Sequence, residues 1–389
     1  MIALKLAFRN LFGAGLRTWL NVSVLSFAFV VIILYNGILD GWNMQAYTDT
    51  KEWAVGNGQL WHSAYDPYDP YCLQDAHAPV SGNLISLIEK KQITPVLITQ
   101  ASIFPQGRLQ NVLLKGIDTA QKIIKIPSAS LKKTDDNIPA IIGKRMALSA
   151  KLKKGDNVLL RWRDKNGTFD AKEIQIAEIF SANVPSIDNG QVWISLCDLQ
   201  KMTGLTNEAT LFITNEKYIG ADIENWKFKD LKFMLKDIDE VMRSKKGSST
   251  VIYGLLLAIA LLAIFDTQVL SIFRRQKEIG TYIALGMTRR RVIGIFTIEG
   301  SAHSILAIIL GSIYGIPLLS YLNSAGIPMP KTIDSYGLSI ADKITPVYSI
   351  GLIMSTVLLV IISATIVSYF PTRKISKMKP TDALKGKIQ

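Results

Sequence analysis

The sequence has few of the residues and motifs from which an enzyme site is built. Its 389 residues include three histidines and two cysteines, with no H-x-x-x-H or C-x-x-C spacing typical of a zinc site. It also lacks a G-x-S-x-G nucleophile motif and a G-x-x-x-x-G-K-[ST] phosphate-binding loop. We therefore predict no catalytic, cofactor-binding or metal-binding residues here, and ATP binding in the Walker manner would require another polypeptide.

One stretch, residues 62–77, does concentrate potential metal ligands. They are His62, Asp66, Asp69, Asp75 and His77. The same stretch is rich in proline and tyrosine, as surface loops are. Because no recognised ligand spacing accompanies these residues, a surface loop is favoured over a metal site.

The two cysteines, Cys72 and Cys197, both lie in the long segment 40–250. An oxidising compartment would permit a disulfide between them. The alternative is two separate buried thiols, and at this point both stay open.

Long apolar runs are what the sequence has in abundance. There are four of them, at residues 18–39, 251–273, 292–322 and 347–370, and together they contain only two charged side chains, Asp266 and Glu299. A hydrocarbon core of about 30 Å needs roughly 20 helical residues. Because these runs also lack the polar stripe of a helix in a soluble protein, we predict four transmembrane helices.

The net charge of +13 is confined to segments that flank these runs. Residues 1–17, 274–291 and 371–389 carry fifteen basic and two acidic residues, which accounts for the whole excess. This is the positive-inside pattern rather than a nucleic-acid-binding patch. It places those three segments inside, and segments 40–250 and 323–346 outside.

The first 17 residues have apolar positions at 4, 8, 11, 12 and 16. That helical spacing is typical of an amphipathic helix at the inner membrane surface, and a simple positive flank explains it equally well. The run 18–39 is longer than a usual signal-peptide core and no A-x-A site follows it, so we expect an uncleaved anchor.

The segment 40–250 is predicted to be a folded, mixed α+β domain inserted between the first two transmembrane helices. Alternating residues predict strands at 157–163 and 191–195, and turn residues separate the strands. The domain is expected to have two lobes, with 139–213 the more strand-rich. Helices are predicted at 82–91, 143–152, 196–203 and 226–246.

The polar residues within the predicted transmembrane helices are candidates for function. Asp266 would lie roughly 12 Å inside the inner end of its helix. A charged group at that depth indicates a function or a partner. The alternative is a carboxyl that is protonated, or hydrogen-bonded to Thr267 or to a neighbouring helix. Glu299 and His303 share a helix face at i and i+4, as a structural pair or, less favoured, a proton relay.

A G-x-x-x-G spacing, formed by Gly311 and Gly315, predicts close approach of another helix. Pro317 follows it and is predicted to kink the helix near the outer face.

Segment 274–291 combines six basic residues with an apolar middle at 282–285. A solvated loop would not need that apolar middle, so we predict a short helix at the membrane surface that docks on a partner.

The order of several short motifs resembles the MacB/FtsX/LolC-LolE permeases. The match rests on the pattern R-x-x-E-I-G followed by A-L-G at 275–286, with Glu299 beyond it. It extends to the closing motif at 370–384, the opening motif at 8–18, and pieces of the inserted domain at 115–118, 141–144 and 152–156. Where the family usually has asparagine, this chain has Asp266.

The resemblance implies a permease half of an ABC transporter that pairs with a second copy or a paralogue. Two copies of a separate ATPase would bind ATP and Mg, and pass a mechanical stroke to periplasmic domains without an aqueous pore. Segment 274–291 would be the coupling helix in the ATPase groove. The residues assigned to that contact are Arg275, Lys277, Glu278, Ile279, Gly280, Leu285 and Gly286.

Within the family, this sequence contains no ATPase and its inserted domain is far larger than that of FtsX, which favours a LolC/LolE-like protein of the inner membrane. Such a permease releases lipoproteins to a periplasmic carrier for delivery to the outer membrane. The alternatives are MacB-like efflux with an adaptor and FtsX-like signalling to a cell-wall hydrolase. The loop 104–108 is a candidate carrier contact.

Overall fold

A computed structural model describes residues 16–133, 137–328 and 343–377 of this chain. The predicted N-terminal segment before residue 16, most of the loop 323–346 and the tail after residue 377 lie outside the described residues. The helices, in chain order, are α1 Leu16–Thr50, α2 Gly82–Glu89, α3 Lys144–Ala150, α4 Pro185–Asp188, α5 Leu196–Thr203, α6 Leu231–Met234, α7 Lys236–Arg274, α8 Gln276–Ala284, α9 Arg289–Ala325 and α10 Ile350–Thr372.

The strands divide among one large sheet and two short pairs. In chain order they are β1 Gly58–His62, β2 Ala78–Pro79, β3 Ile93–Ile103, β4 Gln110–Ile117, β5 Ile138–Gly143, β6 Asn157–Arg163, β7 Phe169–Phe180, β8 Gln191–Ser195, β9 Glu208–Ala209, β10 Leu211–Thr214, β11 Trp226–Asp230, β12 Ile327–Pro328 and β13 Lys343–Ile344.

The chain folds into two compact units. The helical unit contains most of α1 and α7, together with α9 and α10, and these four helices are long and apolar enough to cross a membrane. Their buried contacts form one apolar cluster that includes Leu25, Phe29, Ile264, Ala307 and Val360. The predicted combination of four apolar helices with a mixed sheet domain is thereby confirmed.

The second unit is built on residues 43–240 and is called here the inserted domain. Six of its strands close into a ring, in the order β3-β4-β8-β5-β7-β6, because β6 pairs with both β7 and the far end of β3. The pairs β4–β8 and β5–β7 are parallel. Alternate residues of β6, namely Val158, Leu160 and Trp162, are buried inside the ring, as the period-two pattern requires.

The remaining strands of the large sheet, β10, β1 and β11, extend it from the first half of β3. Helix α2 covers one face of this extension, where Leu84 packs against Leu60 and Phe212. The opposite face carries Trp61, Leu211 and the neighbouring side chains of the ring's outer surface.

Several local predictions agree with this structure and two do not. Helices α2, α3 and α5 lie within the predicted stretches, and β6 and β8 coincide with predicted strands. The helix predicted over 226–246 is wrong for its first part, because residues 226–230 pair with β1 as strand β11. The predicted strand-rich lobe 139–213 omits β3 and β4, which belong to the same closed ring.

Cys72 and Cys197 both carry free thiols. In the stretch 62–77, His77 pairs with Glu208, and the Asp69 side chain caps the short helical turn Pro70–Gln74. Among the described residues, no group of three or more His, Cys, Asp or Glu side chains is close enough to hold a metal ion.

Candidate functional site

The segment between α7 and α9 folds into the short helix α8 because its two ends are well defined. Helix α7 ends at Arg274, and Arg275 lies at the N-cap of α8. At the other end, the backbone N–H of Met287 donates to the Tyr282 carbonyl at 3.0 Å, and that of Gly286 to the Ile283 carbonyl at 3.0 Å. This is a Schellman motif, and Gly286 has the positive φ of 90° that the motif requires.

The apolar side of α8 packs against the chain's own helices. Ile279 is fully buried beside Ile272 of α7 and Phe296 of α9, with Ile375 of the turn after α10 closing the cluster. Tyr282, Ile283 and Met287 pack around it. The apolar middle that suggested a docking surface is therefore used mainly to hold α8 on the helical unit.

Arg275 ties α8 to α9 electrostatically. Its Nη1 atom lies 2.8 Å from Oε2 and 3.0 Å from Oε1 of Glu299, and its Nε donates to Glu278. The guanidinium carbon lies 4.8 Å from the ring centre of Phe296. Although desolvation opposes its charge, the nearby Glu299 carboxylate raises the pKa of Arg275. Glu299 is thus a buried carboxylate with its counter-charge in place.

The sequence spacing allowed a hydrogen bond between His303 and the Glu299 carboxylate, but the structure does not contain this bond. Its Nδ1 lies 3.2 Å from the backbone carbonyl oxygens of Glu299 and of Gly300. The ring is 5% exposed and satisfied by its own helix. The side-chain pair predicted between Glu299 and His303 is therefore wrong, because Arg275 occupies the carboxylate.

The solvent side of the segment is basic with one prominent apolar residue. Leu285 is 81% exposed at the tip of the turn. Lys277, Glu278, Arg290 and Arg291 are exposed around it. Such a surface can contact a protein groove that has an apolar floor and acidic rims.

Asp266 lies on the outer surface of α7, and no hydrogen bond or ion pair engages it within the described residues. The neighbouring Thr267 hydroxyl donates instead to the Ala263 carbonyl and accepts from Asn21 of α1. The predicted alternative of a hydrogen bond between Asp266 and Thr267 is therefore wrong.

The glycine pair of α9 lies against α1. A Cβ atom at Gly311 would come within 2.9 Å of the Phe29 ring, and one at Gly315 within 2.9 Å of Val30. Pro317 lies inside α9, which continues to Ala325. The two glycines thus permit a close helix approach.

Residues 250–380 match a known family, described as FtsX-like permease C-terminal. The matched stretch contains nearly all of the apolar part of α7, the whole of α8 and α9, and α10. Residues 250–380 are therefore similar to an FtsX-like permease domain. The resemblance to the MacB/FtsX/LolC-LolE permeases is confirmed, and this similarity together with the four helices that are long and apolar enough to cross a membrane indicates a multi-pass membrane protein.

The chain is also similar to the Macrolide export ATP-binding/permease protein MacB of Wolinella succinogenes. It is 23% identical over 166 residues, which cover 42% of this chain and 23% of the relative. The chain therefore spans less than a quarter of the length of that protein.

The residues predicted to contact the ATPase differ in their exposure. Lys277, Glu278, Leu285 and Gly286 are exposed and available to a partner. Ile279 and Gly280 are buried against the chain's own helices, and the assignment of all these residues to an ATPase contact stays a prediction. The burial of Ile279 and Gly280 holds the helix in place.

Sequence reasoning missed Phe296 and Ile375, which form the floor beneath α8. Phe296 precedes Glu299 by three residues and therefore shares its helix face. That spacing was the available signal for Phe296. For Ile375 no local signal existed, because its contact depends on how α10 packs.

Proposed function

We propose that this chain is the permease subunit of an ABC transporter, and that a separate ATPase binds the exposed surface of segment 274–291. The observation that carries the proposal is the rigid attachment of α8. A helix held by the Arg275–Glu299 ion pair and the Ile279 cluster cannot move without α7 and α9. A force applied at Leu285 would therefore reach both transmembrane helices.

Helix α7 is the proposed route for that force. It is one helix of 39 residues from Lys236 to Arg274, or about 58 Å at 1.5 Å per residue. That is longer than the roughly 30 Å hydrocarbon core. We place its Arg274 end at the cytoplasmic surface of the inner membrane, and the inserted domain in the periplasm, from the positive-inside charge pattern.

A second permease subunit is proposed to cover the outward face of α7. Its exposed side carries a stripe whose members are three or four residues apart, which is the spacing of a helix–helix seam. The stripe consists of Ile252, Leu255, Ile259, Leu262, Asp266, Leu270 and Phe273. An unpaired carboxyl within a membrane helix normally faces protein or water rather than lipid, so the occupant is a second copy or a paralogue.

This seam can be tested by cysteine cross-linking in a background with Cys72 and Cys197 replaced by serine. Leu262→Cys should give a disulfide-linked dimer with mild oxidant in membranes. Ala260→Cys, two residues away but 1% exposed, is the matched control and should not. Equal cross-linking at both positions, or at neither, would contradict a seam between two copies of this chain.

The proposed cargo is a lipoprotein, released from the inner membrane for transfer to the outer membrane. Its support is the resemblance to LolC/LolE-like permeases and an inserted domain of about 200 residues. Efflux is the second candidate, and the relationship to a macrolide export protein favours it.

Co-purification from native membranes distinguishes these functions. A lipid-modified protein bound to the complex, and its ATP-dependent transfer to a soluble carrier, would support lipoprotein release. An adaptor with an outer-membrane channel would replace that proposal with efflux, and a peptidoglycan hydrolase would replace it with signalling. Absence of any ATPase would refute the transporter itself.

A further inference from the structure

A cavity of about 850 Å³ lies on the outer face of the sheet in the inserted domain. Its floor is formed by strands of the large sheet, with Trp61 of β1, Lys115 of β4 and Trp193 of β8. Loop residues 63–68 and Phe233 of α6 form its walls. The volume lies within the range of small-molecule sites.

Three polar groups at this floor have no hydrogen-bond or ion-pair partner among the described residues. The Trp193 side chain is 2% exposed and its Nε1 is buried without a hydrogen-bond acceptor, and the Oε1 of the nearby Gln191 is buried without a donor. Lys115 has no acidic partner within the described residues, and its Nζ lies 5.1 Å from the Trp193 ring centre. Buried polar atoms of native proteins are normally satisfied, so these groups point to a ligand.

The acidic residues at the cavity do not compensate Lys115. The Asp66 carboxylate accepts the backbone N–H of Tyr68 at 2.9 Å, and Asp237 accepts the Tyr68 hydroxyl at 2.6 Å. Burial lowers the pKa of the Lys115 ammonium to about 8, as expected for a cation with no counter-charge. An ammonium beside an unpartnered indole N–H suits an acidic group.

The rest of the lining combines aromatic and apolar side chains with three further lysines, Lys227, Lys229 and Lys236. The Lys229 Nζ lies 4.4 Å from the Phe233 ring centre and 5.9 Å from that of Trp61, so these cations add to the attraction of the cavity for an acidic ligand. The Trp61 ring lies 5.2 Å from that of Tyr65 and 6.0 Å from that of Phe233. Leu113 and Leu211 line the floor between them. A ligand here would therefore have a hydrocarbon part next to its acidic group.

We propose that this cavity binds an amphiphile with one acidic head group and a hydrocarbon tail. The head lies at Lys115 and Trp193, and the tail lies against Trp61 and Phe233. Gln191 accepts a hydrogen bond from a hydroxyl or amide next to the head group. This proposal does not depend on the transported cargo or on the ATPase.

The test uses the full-length protein in lipid nanodiscs and a ten-carbon carboxylic acid that carries a photoreactive diazirine in its tail. After illumination, the labelled peptides are identified by mass spectrometry, with unlabelled decanoate as competitor. We expect competable labelling of residues 54–68 and 211–237. The matching alcohol probe should label these peptides at least tenfold less, because it lacks the charge that Lys115 recognises.

Matched variants separate recognition from folding. Lys115→Gln and Trp193→Phe should each reduce competable labelling about tenfold. Lys90→Met, at an exposed lysine outside the cavity, should leave it unchanged. Trp162→Phe removes an indole hydrogen bond to the Met202 carbonyl inside the ring and should also leave it unchanged.

Three results would overturn the proposal. The first is equal labelling by the acid and alcohol probes in the unmodified protein, which requires no variant to fold. The second is labelling confined to the four apolar helices. The third is retention of labelling in both Lys115→Gln and Trp193→Phe.

Discussion

The ion pair between Arg275 and Glu299 gives the sharpest prediction about segment 274–291. Their side chains are 21% and 11% exposed, so removing one partner leaves a buried charge without compensation. Breaking a buried pair in this way costs about 3–5 kcal/mol. Because the pair lies at the end of a membrane helix with some solvent access, we expect Arg275→Met to lower the free energy of unfolding by about 3 kcal/mol, the low end of that range.

The neighbouring pair between Arg275 and Glu278 cannot account for such a loss. The Glu278 side chain is 51% exposed, and exposed pairs at this helical spacing contribute roughly 0.2–0.5 kcal/mol. Glu278→Gln should therefore change stability by no more than about 0.5 kcal/mol. The difference between the two variants isolates the contribution of Glu299.

A double-mutant cycle completes the measurement. Replacing a buried ion pair by apolar residues of similar size is often neutral or stabilising, so Arg275→Met with Glu299→Met should recover most of the loss. Unfolding by denaturing detergent in mixed micelles reports each free energy. Lys277→Met, at an exposed lysine on the same helix, is the control and should stay within about 0.5 kcal/mol. If Arg275→Met behaves like this control, or if the double variant is as unstable as the single one, the reasoning fails.

Three further predictions concern coupling, helix packing and pH. Glu278→Lys should leave insertion and stability unchanged but separate ATP hydrolysis from transport in the reconstituted complex, and normal coupling would show that the exposed face of α8 is not the contact. Gly311→Ala should destabilise the helical unit in thermal unfolding, since its Cβ would meet the Phe29 ring at 2.9 Å. The control is Gly294→Ala in the same helix, whose Cβ would meet nothing within 4 Å, and it should stabilise the unit by up to about 1 kcal/mol. A Gly311→Ala variant more stable than the Gly294→Ala variant would refute close α1–α9 packing. Burial lowers the pKa of Lys115 to about 8, below the roughly 10.4 of a free lysine. Between these pH values the unfolded chain binds more protons than the folded one, so the contribution of Lys115 to the free energy of unfolding should rise from pH 8 to 10. Lys115→Met should abolish that rise, and an unchanged pH profile in this variant would contradict the prediction.

Sequence periodicity predicted the local elements well where one physical force dominates. The four apolar runs become membrane helices because nothing but a helix satisfies their backbone groups in hydrocarbon. The alternation of β6 likewise places Val158, Leu160 and Trp162 on one buried face. The secondary structure of residues 226–230 was not predicted correctly. Their apolar residues have a helical spacing, but pairing with β1 in the folded domain makes this segment a strand.

Segment 274–291 shows the same division between local sequence and tertiary structure. Its composition alone determined a short helix with basic flanks and an apolar face at the ends of two membrane helices. Only the tertiary structure decided that this face is buried on Phe296 and Ile375, so that Leu285 and the basic residues remain for a partner. Likewise, the sequence determined that Glu299 is a carboxylate in an apolar run, but the fold supplied Arg275 in place of His303. The physical reason is that local sequence sets propensity and charge, whereas a buried ion pair requires two helix ends to meet in space.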